Sequence, residues 1–144
     1  MNKIVVYIAL SAIILSACNQ SAKTRQVPTN ISEAFTKLHP KAIILKWNDE
    51  PPIWEAKYKD GKETGAVSFN DKAEVTETEL VIAESQLPNG SVIADYIKSH
   101  YTGEKLQRCE KVTKSNGTIT YEIQITGKEI VFDGEGKYLS EEKD

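Results

Sequence analysis

Chemistry could reside first in an acidic, glycine-rich stretch, Asp133-Gly134-Glu135-Gly136, within IVFDGEGKYL (130–139). Carboxylates at alternate positions could begin a calcium loop, which continues its ligands over about twelve residues and closes on a bidentate Glu. Lys137 and Tyr138 follow instead, so the series stops. The simpler reading is a turn, with Asp bonding to nearby backbone and Gly supplying positive φ. His39 and His100 could share a metal. No HxxxH, CxxC or carboxylate set accompanies them, and each falls at the expected C-terminal end of a helix, where the dipole favours a cation. Cys109, in LQRCEKV, has no neighbouring His–Asn/Asp set to activate it and is expected as a small, half-buried strand residue. The carboxylates of VTETELVIAE (75–84) alternate with Thr, which predicts a solvated strand face beside Val75, Leu80 and Ile82. A working acid–base pair would need shifted pKa values in a cleft. GxSxG, HExxH, P-loop and Rossmann signatures are absent from the sequence. The expectation is a protein that is not an enzyme, with no catalytic residue, metal or cofactor.

Recognition is better represented. Trp47 and Trp54 flank the DEPP turn (49–52) on adjacent predicted strands. Beneath a helix they would be core; at a rim either would be an interface anchor. Trp54 shares a strand face with Ala56 and Tyr58, which favours core. Glu55 and Lys57 face the opposite way, as do Glu122 and Gln124 on a later strand. Trp47, Trp54, Glu55, Lys57, Glu122 and Gln124 are the candidate interaction residues.

The elements that must position them are written twice. Asn30 is a plausible N-cap with Glu33 as its capping-box partner. Ile31, Ala34, Phe35 and Leu38 form one helical stripe, which Pro40 ends. A second helix opens at Pro88 and Ser91, carries Val92, Ile93, Tyr96 and Ile97, and closes at Thr102-Gly103. Strands follow each helix. In the first half they are expected at 42–47 (a buried run, AIILKW), 53–59, 62–69 and 73–82. In the second they are expected at 105–114, 118–126, 128–132 and 137–140. Asp60-Gly61 and Ser115-Asn116-Gly117 mark hairpin turns. The predicted class is α+β, as two tandem helix-plus-four-strand antiparallel repeats, about 30–87 and 88–140. Each helix covers one sheet face and leaves the other open.

The chain has 144 residues, 40% of them hydrophobic and 27% charged, with a formal net charge of -3. That suits one globular domain and excludes a basic footprint for nucleic acid. Lys3 and the apolar run 4–15, too short for a confident membrane span, lead into LSAC (15–18). This looks like a bacterial lipoprotein signal. It implies cleavage after residue 17, a diacylglyceryl thioether on Cys18 and acylation of the new amine. Cys109 would then be the only remaining thiol, with no intramolecular disulfide. Residues 18–29 read as a flexible tether and 30–144 as the domain.

AFTKLHPKAIILKWNDEPPIWEAKYKDGKETGAVSFNDKAEVTETELVIAESQLP (34–88) resembles the first repeat of the PepSY-like periplasmic proteins. YIKSHYTGEKLQRCEKVTKSNGTITYEIQITGKEIVFDGEGKYL (96–139) resembles the second. The likeness spans about 31–139. It is carried by EAKYK…G…VSF, the TETE segment leading to Leu87-Pro88, and YEIQ…G…IVFDGEGKYL. FNDKAE departs from it, lacking the glycine found at Gly136. The resemblance implies a fold like that of β-lactamase-inhibitor protein. It also implies a place in the envelope of a Gram-negative-type bacterium, on the periplasmic face or outer membrane. It implies no particular activity, although related PepSY domains are thought to bind or restrain peptidases. The expected partners are the membrane, through lipid on Cys18, and a protein or peptide. A structural or assembly lipoprotein is the alternative.

Overall fold

The computed structural model describes residues 25–88 and 92–143. The predicted signal segment, Cys18 and the helix-opening residue Ser91 lie outside them. The order is α1 (Thr29–Leu38), β1 (Ile43–Glu50), β2 (Ile53–Asp60), β3 (Glu63–Phe69) and β4 (Val75–Ile82). A 3-10 turn (Glu84–Gln86), α2 (Val92–His100), β5 (Arg108–Lys114), β6 (Ile119–Ile125), β7 (Lys128–Asp133) and β8 (Tyr138–Lys143) follow. The strands form one antiparallel eight-stranded sheet in sequence order, so each pairs with its chain neighbours. Among the described residues no helix is long and apolar enough to cross a membrane.

Both helices lie on the same face of this sheet, because their apolar stripes meet matching strand positions. Ile31 and Phe35 of α1 pack with Trp54, Ala56, Tyr58, Val67 and Phe69. Ile93 and Ile97 of α2 pack with Tyr121, Ile123, Ile125, Ile130 and Phe132. Each fully buried Ile, Val or Phe among them contributes roughly 1.5–3 kcal/mol. These contacts divide the core into two adjacent clusters, one per helix.

The expected capping box does not form. Pro28 occupies the N-cap position of α1, without a side-chain cap. Its carbonyl accepts from the Ile31 and Ser32 amides, both at 3.1 Å, so the helix starts before Asn30. The Asn30 amide instead reaches the Asp71 carbonyl at 3.4 Å. The end of the predicted tether is held against the domain. Arg25 Nε donates to Asp49 Oδ2 at 2.9 Å, and Val27 packs on the α1 cluster. AIILKW is not a buried strand. β1 has a neighbour on one side only, and Ile43, Ile44 and Leu45 are 67%, 38% and 58% exposed. Three consecutive apolar residues suggest burial on both faces, but that requires an inner strand of the sheet.

The glycine-rich acidic stretch is a turn. Asp133 Oδ1 accepts from the amides of Glu135 (3.0 Å) and Lys137 (2.9 Å). Asn70 Oδ1 does the same for Lys72 (2.9 Å) and Glu74 (3.0 Å). Gly136 has φ +87, and the corresponding Ala73 has φ 61. A Cβ in the left-handed region costs roughly 1–2 kcal/mol, so Ala73→Gly should raise stability by about 1 kcal/mol, read as a shifted denaturation midpoint.

Candidate functional site

Residues directly opposite in an antiparallel ladder point to the same face, so the register assembles the surface away from the helices. One row crosses the sheet as Lys46, Lys57, Ala66, Glu79, Val112, Thr120 and Asp133. On one side of it lie Asn48, Glu55, Ser68, Glu77 and Lys114. On the other side β5–β7 contribute Glu110, Glu122 and Val131, then Arg108, Gln124 and Glu129. The open face is therefore crowded with carboxylates drawn from five strands, β2 and β4–β7.

Several of these carboxylates have a cation beside them. Arg108 reaches Glu110 at 2.7 Å, Lys57 lies 3.6 Å from Glu55, and Lys114 lies 3.9 Å from Glu77. Asn48 Nδ2 also donates to Glu55 Oε1 at 2.6 Å. Glu79 and Glu122 form no ion pair among the described residues. Glu79 stands between Ala66 and Val112, which are only 3% and 1% exposed although they belong to the open face. Burial pushes the Glu79 carboxyl up to about 7, and repulsion from Glu55, Glu110 and Glu77 adds to the shift while Lys57 opposes it. Glu122 is likewise pushed up to about 7, by burial first and then by Glu129, Glu79, Glu110 and Glu77. Depressions of about 350 Å³ and 710 Å³ lie on this face and share Glu55 and Glu79 in their walls.

A carboxyl raised in the folded state keeps its proton where the unfolded chain has lost it. Stability is then highest below the ordinary carboxylate range, falls as pH rises through about 7 and levels off above it. Both groups are partly solvated, so screening leaves a modest effect. Glu79→Gln and Glu122→Gln should each stabilise by about 1 kcal/mol near pH ~8 and change little near pH ~4. Denaturant titrations at the two pH values check this.

The structure separates the tryptophans from the other candidate residues. Trp54 is 2% exposed and belongs to the core. Its indole Nε1 is buried and has no hydrogen-bond partner among the described residues, and the Arg25 guanidinium lies 5.2 Å from its ring centre. Trp47 is half-buried on the helix side, edge-on to Phe35 at 5.9 Å. Glu55, Lys57, Glu122 and Gln124 share the open face, connected through Glu79 and Glu110. Alternation had placed each pair correctly, but their convergence depends on the order of the strands. Glu77 and Glu79, expected as a solvated stretch, belong to the same cluster, and Glu79 is substantially desolvated.

The remaining candidates serve packing. His39 lies 4.3 Å from Tyr58 by ring centres, and His100 stacks on Tyr96 at 3.9 Å, each beside a different core cluster. Among the described residues no group of His, Cys, Asp and Glu could hold a metal. Cys109 is 5% exposed, and burial, with Glu84 adding, raises its thiol pKa, which disfavours the nucleophilic thiolate.

The chain resembles several solved structures in fold. A proposed periplasmic protein from Bacteroides eggerthii superposes with a TM-score of 0.70 at 16% identity, over 83% of this chain and 90% of that one. A BLIP-like protein from Bacteroides fragilis gives 0.60 at 20% identity, over 84% and 89%. A DUF2874 family protein from Bacteroides ovatus gives 0.66 at 17% identity, over 83% and 89%. The sequence matches no protein-family model and no curated protein. The fold is thus α+β and BLIP-like, with its eight strands in one sheet.

Proposed function

We propose that this chain is a lipid-anchored envelope protein that binds another protein or a peptide through the open face of its sheet. The observation that carries the proposal is the crowding of Glu79 and Glu122 among like charges, without an ion pair for either. Such a surface is under electrostatic stress, and a partner presenting Lys or Arg relieves it. The partner is therefore a protein or peptide with a basic contact surface; the PepSY resemblance favours a peptidase. LSAC supports the anchor, and the likeness in fold to the proposed periplasmic protein of Bacteroides eggerthii supports the periplasmic location. The two helix-plus-four-strand units are read as a duplication, supported by the matching turns at Asn70 and Asp133.

Lipid on Cys18 holds the protein to the membrane, since each buried methylene contributes about 0.8 kcal/mol and several acyl chains act together. Cys18→Ala should move the protein from the membrane fraction to the soluble fraction and change its processed mass. Unchanged fractionation and mass would refute the anchor. Binding is tested separately with envelope extract. A soluble bait carrying Glu79→Lys and Glu122→Lys should lose whatever the native bait retains, and identical recovery would refute the surface.

A further inference from the structure

The sheet has two edges, and they are built differently. β8 reads YLSEEK, with exposed Glu141, Glu142 and Lys143 along it. Charges of this kind discourage another strand from adding to an edge. β1 instead exposes Ile43, Ile44 and Leu45 in succession. Its outer backbone groups form a template for a further strand, and its apolar side chains gain from being covered.

We propose that β1 pairs antiparallel with β1 of a second copy of this chain, joining the two sheets about a two-fold axis. The sequence of β1 fits its own reverse. With the axis between Leu45 and Lys46, Ile44 stands opposite Trp47 of the second copy and Ile43 opposite Asn48. The faces agree as well. Ile44 and Trp47 pair within the chain with Tyr58 and Ala56, on the helix side. Ile43 and Asn48 pair with Lys59 and Glu55, on the open side.

In a regular strand Ile44 and Trp47, three apart, would point to opposite faces. The register shift between Ile44 and Lys46 brings them to one face, and it sits at the proposed axis. The bulge therefore makes this register self-complementary; moving the register by one residue would set helix-side residues against open-side ones. The interface is isologous, and the two acidic open faces lie on the same side of the joined sheet.

Full-length protein expressed in cells tests the pairing. Leu45→Cys should give a disulfide-linked dimer on a non-reducing gel, and Ser140→Cys, on the charged edge, should not. The native cysteines are common to both variants, so any background they give is shared. Equal dimer yield from the two variants, no dimer from Leu45→Cys, or a crosslink only to a different protein would overturn the proposal. In detergent, sedimentation of the native chain should show a reversible dimer. Leu45→Lys should raise its dissociation constant about tenfold or more, a change worth about 1.4 kcal/mol. Because Leu45 is 58% exposed, this substitution leaves the monomer fold intact, as circular dichroism verifies. A native chain that stays monomeric at every concentration would refute the pairing.

Discussion

Phe132→Ala is expected to remove about 3–5 kcal/mol of stability, a large share of what a small domain has. Phe132 is fully buried where α2 meets β6–β8. Its ring stands edge-on to Tyr96 at 5.4 Å and to Tyr138 at 6.4 Å. Tyr96 in turn stacks on Tyr138 at 5.2 Å and on His100 at 3.9 Å. Deleting the ring leaves a cavity at the foot of this aromatic column, beneath a helix that the close-packed side chains cannot easily follow inward. The denaturation midpoint should fall sharply while the slope stays unchanged. Leu139→Ala, at a residue 50% exposed, should change stability by no more than about 0.5 kcal/mol. Similar losses for the two variants would show that the cluster under α2 is not a packed core.

Gly65→Ala is expected to be almost as damaging, although it adds a single methyl. A Cβ at that position would lie 2.3 Å from the Glu79 carbonyl oxygen and 3.2 Å from the Tyr58 hydroxyl. The first obstacle is backbone within the β3–β4 ladder and cannot swing aside. Overpacking of this kind costs about 1–3 kcal/mol, and a backbone clash places this substitution near the top of that range, at about 3 kcal/mol. The glycine has a second consequence. Tyr58 pairs across from Gly65, and its hydroxyl donates to Glu63 Oε1 at 3.0 Å. Burial, then the Glu63 carboxylate, pushes its ionisation up to about 12. If alanine displaces the ring, the phenol should titrate closer to its ordinary range, visible as an earlier absorbance change in alkali. Gly61→Ala tests the contrast. Nothing lies within 4 Å of its Cβ, so it should cost only the strain of a positive φ, about 1–2 kcal/mol.

Local patterns in the sequence carried most of the architecture. The helical stripe of Ile31 and Phe35, and the alternation of Trp54, Ala56 and Tyr58 against Glu55 and Lys57, are periodicities that need no partner to be read. Asp133 was legible as a turn residue for the same reason. The errors arose where a residue's environment depends on a distant strand. AIILKW had the composition of an inner strand, but its place at the sheet edge is fixed by the order of all the strands. Val112 is buried on the open face beside Glu79, a position that only the pairing of β4 with β5 gives it. The carboxylate cluster was invisible for that reason too: Glu55, Glu79, Glu110 and Glu122 are neighbours only once β2 through β6 are laid side by side. Ala73 shows the opposite case. It departs from the glycine found at Gly136, yet Asn70 supplies the same pair of side-chain-to-backbone bonds as Asp133, and the chain accepts a strained φ there.

Binding at the open face is tested most directly by site-specific photo-crosslinking in intact cells. A benzophenone amino acid is placed singly at Lys57 or Gln124 on the open face, and at Lys98, an exposed residue of α2, as the reference. The same discrete, light-dependent adduct is expected from positions 57 and 124 and none from position 98. The adduct should disappear when Glu79→Lys and Glu122→Lys are added. No adduct from either open-face position, or the same adduct from all three, would contradict binding at this face.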